Sequence, residues 1–225
     1  MSTEMRSVGG AATPSVLKQI VAQEIRRQVF SGEMRPGTKV DQDALAEQLG
    51  VSKLPVREAL IALDGEGIIQ TAPRRGAFVA ELSREDIRDQ YWLLGVISGL
   101  AAERAAARLD DDHLAALGKL AAQMEADESS SDHDRLNFDF HRLINRACGS
   151  RRLVAELKQL SSSIPNGFFE AHPDMVISSN RDHHEILDAM TTRSGGMART
   201  LTEAHFLRGG NHAVALLEDR GFWNR

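Results

Sequence analysis

Apolar residues recur every three or four positions in three short stretches near the start of the chain, a spacing typical of amphipathic helices. The first stretch predicts a helix over residues 15–30. The second begins behind Asp41, whose side chain suits an N-cap, and Gly50 closes it. The third begins behind Ser52, which can also cap a helix, and carries Pro55 in its first turn, where a missing N–H costs little.

Two short apolar runs follow and predict a β-hairpin. Residues 67–72 read GIIQTA and residues 77–82 read AFVAEL, with the turn sequence PRRG between them. Three helices and such a hairpin make a winged helix-turn-helix. In that arrangement the third helix presents its N-terminal end outward, where free amides and the first side chains suit DNA phosphates and base edges. By spacing alone, a helix pair that packs without binding DNA fits equally well.

From residue 83 onward the pattern is helical throughout. Ser83 with Asp86 resembles a capping box and opens a long helix that runs to about Leu109. Further helices are predicted over 111–126, 132–148, 150–163, 174–192 and 196–219. We therefore expect a mainly α protein with three parts: a disordered tail over 1–13, a winged helix-turn-helix over 14–82 and an all-α helical bundle over 83–225.

Composition and charge narrow the class of protein. The 225 residues are 42% hydrophobic and 26% charged, as in soluble globular proteins. The single Cys148 allows no intrachain disulfide, and neither a secretory signal nor a membrane span is visible, so we expect a cytoplasmic protein without a membrane partner. The net charge of −5 comes from residues 83–225, while residues 14–82 are neutral. A nucleic-acid surface must therefore be a local patch, formed by Arg35, Lys53, Arg57, Arg74 and Arg75.

Residues 29–79 resemble the DNA-binding domain of the GntR family of bacterial transcription regulators. The motifs RPG, LAEQLGVS, PVREAL, EGII and RGAFV follow one another in order. The resemblance implies DNA contacts from Arg35, Ser52, Lys53, Leu54, Pro55, Arg57 and, in the wing, Gly76. The family often carries Arg at the Lys53 position and Thr at the Leu54 position. Leu54 cannot donate a hydrogen bond, so it can contact only a thymine methyl group.

Three histidines in the predicted bundle form a candidate site. Asn137 precedes His141 by four residues and shares its helical face. His183 lies twelve residues before Gly195 and His205 ten after it, so two antiparallel helices bring both to the same height. Three imidazoles and one oxygen suit Zn²⁺, Ni²⁺ or Cu²⁺. From the residues alone, histidines satisfied by packing inside a bundle are an open alternative.

Residues 83–225 also resemble the all-helical effector-binding domain of the FCD branch of GntR regulators, through NFDFHRLINRACGS, SSNRDHHEIL and LTEAHF. The resemblance implies a divalent metal ion held by Asn137, His141, His183 and His205, which anchors a small carboxylate effector. Asn137 makes this site one negative charge poorer than the Asp of other members.

The first long helix departs from the family pattern. Family members often place an Arg and then a Glu where this chain has Leu94 and Ser98, and Leu94 cannot clamp a carboxylate. Either another cation, Arg142 or Arg104, substitutes for it, or the effector is more apolar than usual. Leu94, Ser98 and Arg142 are therefore candidates for the effector pocket.

The two resemblances imply a homodimeric transcription regulator, usually a repressor, that binds double-stranded operator DNA and needs no covalent chemistry. A small organic acid in the bundle would bind one arrangement of the dimer better and so shift its affinity for DNA. Two other hypotheses stay open: a metal-dependent, hydrolase-like enzyme with a DNA-binding appendage, and a ligand sensor without metal.

Overall fold

The computed structural model describes residues 13–126, 130–163 and 173–224, and the chain divides between Glu81 and Leu82 into two compact units. The elements of the N-terminal unit are α1 (Pro14–Phe30), α2 (Gln42–Leu49), α3 (Lys53–Gly65), β1 (Ile69–Ala72) and β2 (Gly76–Val79). Those of the C-terminal unit are α4 (Arg84–Ala106), α5 (Asp111–Ala126), α6 (Ser130–Ala147), α7 (Arg151–Ser162), α8 (Pro173–Thr191) and α9 (Gly195–Asp219). The predicted fold class, a winged helix-turn-helix followed by a helical domain, is confirmed. The predicted disordered tail lies outside the described residues apart from Thr13.

The core of the N-terminal unit forms where α1 packs against α3. Val21, Ile25 and Val29 are fully buried along one side of α1. Ile20, which directly precedes Val21, is 45% exposed because it lies about 100° around the helix from Val21. Beside this core, Glu66 receives three hydrogen bonds from the guanidinium of Arg26, and both side chains are nearly buried.

Local chemistry fixes the ends of the short helices. The Asp41 side chain accepts hydrogen bonds of 3.0 and 3.1 Å from the first amides of α2, and Gly50 ends that helix with a φ of +62°. Ser52 lies at the N-cap position of α3, but its side chain makes no capping hydrogen bond there. The sequence-based expectation for Ser52 is therefore correct for its position and wrong for its bonding.

The wing is an antiparallel pair in which Ile69 lies opposite Val79. The segment before α2 joins it, since the Val40 amide donates to the Ala77 carbonyl at 2.9 Å and the Val79 amide donates to the Thr38 carbonyl at 2.9 Å. At the tip, Arg74 takes a left-handed φ of +63°. The tip therefore presents its arginines in a tight, defined turn.

In the C-terminal unit, α4 and α9 are its first and last helices, and they pack closely against each other. Glycines make this approach possible: a Cβ at Gly99 would lie 3.1 Å from the Arg199 carbonyl, and a Cβ at Gly210 would lie 2.9 Å from Tyr91 Cβ. The main apolar core unites α4, α5, α6, α8 and α9 around the buried Phe140, Ile186 and Met190. None of the described helices has the length and apolar character that a membrane crossing requires.

Candidate functional site

The three candidate histidines meet in the middle of the C-terminal unit. His141 comes from α6, His183 from α8 and His205 from α9. His141 Nε2 lies 3.2 Å from His205 Nε2 and 3.3 Å from His183 Nε2. His183 is fully buried and His141 is 8% exposed. The imidazole nitrogens of three helices therefore converge on one point.

This convergence cannot be explained by hydrogen bonds alone. An imidazole nitrogen offers either one N–H or one lone pair, so His141 Nε2 cannot satisfy both of its neighbours. Burial, and then the nearby His205 ring, hold the pKa of His141 well below its ordinary value. Burial, followed by His205 and His141, does the same to the pKa of His183. Neutral imidazoles with free lone pairs are the form that binds metal ions.

Two of the distances between these nitrogens fit a metal ion, and all three nitrogens lie within 4.8 Å of one another. Tetrahedral Zn²⁺ with Zn–N distances of about 2.0–2.1 Å separates its ligand nitrogens by about 3.3 Å. The two N···N distances at His141, 3.2 and 3.3 Å, match this value. Asn137 lies one turn before His141, and its buried Oδ1 has no hydrogen-bond partner in the described part of the chain. The residues present therefore fit a divalent metal ion, with three nitrogen ligands and an unsatisfied oxygen.

A carboxylate behind the cluster orients one of its rings. Asp182 is 3% exposed, and its Oδ2 lies 3.2 Å from His205 Nδ1. The same carboxylate accepts from Arg208 Nε at 2.9 Å and pairs with Arg208 Nη2 at 2.7 Å. Burial raises the pKa of Asp182, but the hydrogen bonds from His205 and Arg208 outweigh burial and leave that pKa below its ordinary value. A carboxylate at Nδ1 holds the proton there and turns the Nε2 lone pair toward the cluster.

A pocket of about 120 Å³ opens beside the histidines. Its lining includes Asn137, His141 and His205, so the candidate ligands lie at its wall. Its apolar wall is made by Leu94, Phe138, Met175 and Phe206, and its polar wall by Tyr91, Ser98, Asp134, Asn145, Ser161, Ser178, Ser179, Asp182, Arg208 and His212. Among the described residues, Arg208 is the one guanidinium or ammonium group that lines it.

The candidate pocket residues have different positions. Leu94 and Ser98 are buried on α4 and line the pocket. Arg142 does not line it: this side chain is 48% exposed and pairs with Asp139 at 2.8 Å. Arg104 is exposed near the end of α4 and is also absent from the lining. The guanidinium group at the pocket is Arg208, which the sequence analysis did not identify.

The candidate DNA-contacting residues lie on the surface of the N-terminal unit, with one exception. Arg35, Ser52, Lys53, Leu54, Arg57, Arg74 and Arg75 are exposed, and Gly76 is half-buried. Pro55 is buried in the first turn of α3, so it offers almost no surface to DNA, and its fixed φ serves to start the helix. Leu54 is 60% exposed beside it.

The charges of this surface are only partly neutralised within the unit. Lys53 Nζ forms an ion pair of 2.8 Å with Asp43 of α2. The Arg75 guanidinium lies 5.6 Å from the centre of the Phe78 ring. In the described part of the chain, Arg35, Arg57 and Arg74 have no ion-pair partner. Unpaired guanidinium groups at a helix start and a wing tip suit phosphate binding.

Two family models match this chain. The model for the FCD domain matches residues 89–208, and the model for bacterial regulatory proteins of the gntR family matches residues 17–79. The chain belongs to the GntR family and carries an FCD domain. The FCD match contains all three histidines, Asn137 and the pocket residues of α4.

Curated relatives of this GntR-family protein are named as regulators. An uncharacterized HTH-type transcriptional regulator of Mycobacterium tuberculosis is 29% identical over 165 residues, which are 73% of this chain and 66% of that protein. The HTH-type transcriptional repressor RspR of Escherichia coli K12 is 26% identical over 196 residues, covering 83% of this chain and 85% of that one. The chain spans about two thirds of the first relative and most of the second.

Solved structures share the fold. Escherichia coli McbR/YncC aligns with a TM-score of 0.67 at 23% identity, over 90% of this chain and 97% of that chain. A putative transcriptional regulator GntR from Rhodococcus sp. RHA1 aligns with a TM-score of 0.60 at 23% identity, over 88% and 97%. At these identities the likeness concerns the fold.

Asp182 and Arg208 of this GntR-family protein were not among the predicted site residues, although their positions relative to the histidines gave an indication of each. Arg208 follows His205 by three residues, so the two share a face of α9. Asp182 precedes His183 directly, which places it at the edge of the same face of α8. The sequence alone does not show that Asp182 and Arg208 contact each other, because that contact depends on the register of α8 against α9.

Proposed function

We propose that the chain is a DNA-binding transcriptional regulator whose operator affinity is set by a small organic acid bound beside a metal ion in its C-terminal unit. The observation that carries the sensor part is the convergence of His141, His183 and His205 on one point, with the unsatisfied Asn137 oxygen beside them. The family supports the regulatory part, since its curated members are named as HTH-type transcriptional regulators.

Asn137, His141, His183 and His205 would hold the metal ion, and when bound it supplies positive charge for the anionic end of the ligand. The charges of the pocket explain why that contribution matters. Asp134 and Asp182 are the carboxylates of the described lining, and Arg208 is its permanent cation. With neutral imidazoles this wall carries one net negative charge, which repels a carboxylate. A divalent ion reverses the sign, so we expect acid binding to depend on metal.

Arg208 supports an acid ligand in a second way. Leu94 occupies the position where relatives often carry an arginine, but Arg208 brings a guanidinium to the same pocket from α9. Two of its N–H groups face Asp182, and a guanidinium has five. The remaining donors can bind a carboxylate oxygen from the pocket side.

On the DNA side, the start of α3 would enter the major groove. Lys53 and Leu54 are exposed in its first turn, where side chains reach base edges. Ser52, Arg35 and Arg57 would hold phosphates, and so would the wing tip at Arg74, Arg75 and Gly76. The Ser52 hydroxyl is free for this because it makes no capping bond with α3.

We further propose a cytoplasmic homodimer that acts as a repressor. Two copies of the winged helix match a pseudo-palindromic operator, because two-fold symmetry in the protein requires it in the DNA. The name of the repressor RspR supports this direction of control. An acid that binds one arrangement of the dimer better shifts its affinity for DNA without any covalent step.

The DNA part is tested by selecting bound sequences from a random duplex library and then measuring affinity for the selected site. Arg57→Ala should weaken binding of all sequences and reduce its salt dependence, while Lys53→Ala should also relax base preference. Arg142→Ala is the matched control, since Arg142 is an exposed arginine of the other unit. Unchanged specific binding by both α3 variants would contradict the assignment of α3.

The metal part is tested by the metal content of the purified protein and by thermal unfolding with added Zn²⁺ or Ni²⁺, before and after chelation. We expect one ion per chain and a higher melting temperature, both lost in His183→Ala. Absence of metal binding would favour the metal-free sensor. Hydrolysis of an ester or lactone that depends on His141 would instead favour the enzyme hypothesis.

A further inference from the structure

Two hydroxyl groups on α4 line the pocket without hydrogen-bond partners. Tyr91 is 4% exposed and Ser98 is 1% exposed, and neither Tyr91 Oη nor Ser98 Oγ has a partner among the described residues. Both side chains belong to the pocket lining, with Leu94 between them on the same face of α4. A buried hydroxyl without a partner is unfavourable in the free protein, so it is a preferred place for a polar ligand atom.

The position of Tyr91 is held from the opposite helix. Its ring lies over the backbone of α9, since a Cβ at Gly209 would be 3.2 Å from Tyr91 Cε1. Burial, and then the Asp134 carboxylate, raise the pKa of the Tyr91 hydroxyl, which therefore keeps its proton and can donate. Tyr91 and Arg208 both line the pocket, and Gly209, which the Tyr91 ring approaches, directly follows Arg208.

The charges limit what the ligand carries besides its carboxylate. Once a divalent ion is bound, the described lining has one net positive charge, which a single carboxylate neutralises. A second carboxylate would leave a net negative charge beside Asp134. A neutral hydroxyl satisfies Tyr91 or Ser98 without that repulsion.

The size of the pocket agrees with a short molecule. Its volume of about 120 Å³ is slightly smaller than an engineered cavity of about 150 Å³ that binds benzene, which has six heavy atoms. A carboxylic acid of about four carbons is on this scale.

We infer that the ligand of this pocket is a short hydroxymonocarboxylate whose hydroxyl group bonds to Tyr91 or Ser98. The inference rests on the proposed acid-sensing function and deepens it: the metal ion and Arg208 bind the carboxylate, and α4 selects the hydroxyl. Leu94, the residue between the two hydroxyl groups, contacts the carbon chain.

The test uses a panel of four-carbon acids on the full chain with one equivalent of Zn²⁺. Titration calorimetry compares butyrate with 2-, 3- and 4-hydroxybutyrate, with the diacid succinate and with 4-aminobutyrate. We expect one of the hydroxybutyrates to bind about 2- to 12-fold tighter than butyrate, the gain of one hydrogen bond, and tighter than succinate and 4-aminobutyrate.

Three variants locate the selecting group. Tyr91→Phe and Ser98→Ala remove hydroxyl groups that make no bond within the protein, so melting temperatures without ligand should not fall. One of the two should abolish the advantage of the hydroxy acid over butyrate. Thr202→Val is the matched control, because Thr202 Oγ1 is also buried without a partner but lies outside the pocket lining.

Each outcome has a separate meaning. Binding of butyrate and hydroxybutyrates with equal affinity, or an advantage that survives both α4 variants, would overturn the hydroxyl inference and leave the acid sensor intact. Tightest binding of succinate or 4-aminobutyrate would overturn it as well. Binding of Zn²⁺ but of no acid in the panel would overturn both, while operator binding would remain an independent test of the DNA-binding function.

Discussion

Two glycine-to-alanine substitutions in helices of the C-terminal unit should change its stability in opposite directions. A Cβ at Gly210 of α9 would lie 2.9 Å from Tyr91 Cβ and 3.3 Å from Tyr91 Cγ. A Cβ at Gly118 of α5 would meet no atom closer than Leu187 Cδ2, at 3.9 Å. The first substitution therefore overpacks the contact between α4 and α9, and the second adds a methyl group in ordinary contact distance.

The magnitude follows from two terms. Alanine is favoured over glycine inside a helix by about 0.8–1.0 kcal/mol, and this gain is common to both variants. Carbon atoms in good contact lie about 3.5–4.0 Å apart, so α4 and α9 must separate by about 1 Å at Gly210. Overpacking of this kind costs about 1–3 kcal/mol. The free energy of unfolding of the Gly118→Ala variant should therefore be higher than that of the Gly210→Ala variant by about 1–3 kcal/mol. It should also be higher than that of the unsubstituted chain by up to about 1 kcal/mol.

Urea unfolding followed by tryptophan fluorescence measures this difference. Trp92 and Trp223 are the tryptophans of the chain, and both belong to the C-terminal unit, so the signal reports on that unit. The free energy of unfolding comes from linear extrapolation at constant slope. If Gly210→Ala proved as stable as Gly118→Ala, the close contact between α4 and α9 at Tyr91 would be refuted.

Four other substitutions have defined outcomes. Arg26→Ala breaks a buried ion pair and should cost about 3–5 kcal/mol, whereas Arg27→Ala next to it removes exposed pairs and should cost at most about 1 kcal/mol; hydrogen exchange in α1 and α3 measures both. Asp182→Asn should weaken Zn²⁺ binding about 10- to 100-fold in a competition titration, because the His205 ring loses its carboxylate. Hydrogen bonds from Ser83 lower the pKa of Asp86. The Asp86 carboxylate therefore stabilises the fold fully above pH 3.8, and this contribution fades as pH falls through the lowered pKa. Asp86→Ala should cost about 1 kcal/mol at neutral pH and less in acid, as measured by urea unfolding.

Much of the fold follows from local rules that the sequence displays. The Ser83–Asp86 capping box forms as expected, and the Asp41 cap and the Gly50 stop bound α2. Ser52 shows where such rules end. Its position at the start of α3 is a property of the local sequence, but whether its hydroxyl bonds to the helix depends on a side-chain rotamer that the sequence does not specify.

Some features of the candidate site likewise follow from the local sequence, and others depend on how the helices pack. Helical rise and the position of Gly195 suffice to bring His183 and His205 to one height, and their rings lie 4.8 Å apart between centroids. Helical spacing does not predict which arginine lines the pocket. Arg142 directly follows His141 in the sequence, yet its neighbouring position on α6 turns it toward solvent, where it pairs with Asp139. Arg208 reaches the pocket because α9 packs against both α4 and α8, and that arrangement depends on contacts distant in sequence.

The pairing of α4 with α9 has a consequence for the newly made protein. Eighty-eight residues separate Ala106 from Gly195, so at about 5–20 residues per second α4 leaves the ribosome roughly 4–18 s before its main partner. The strand pairing and helix packing described for the winged helix join elements that are complete at Val79. A nascent chain therefore carries a finished N-terminal unit while the glycine-lined face of α4 is still uncovered.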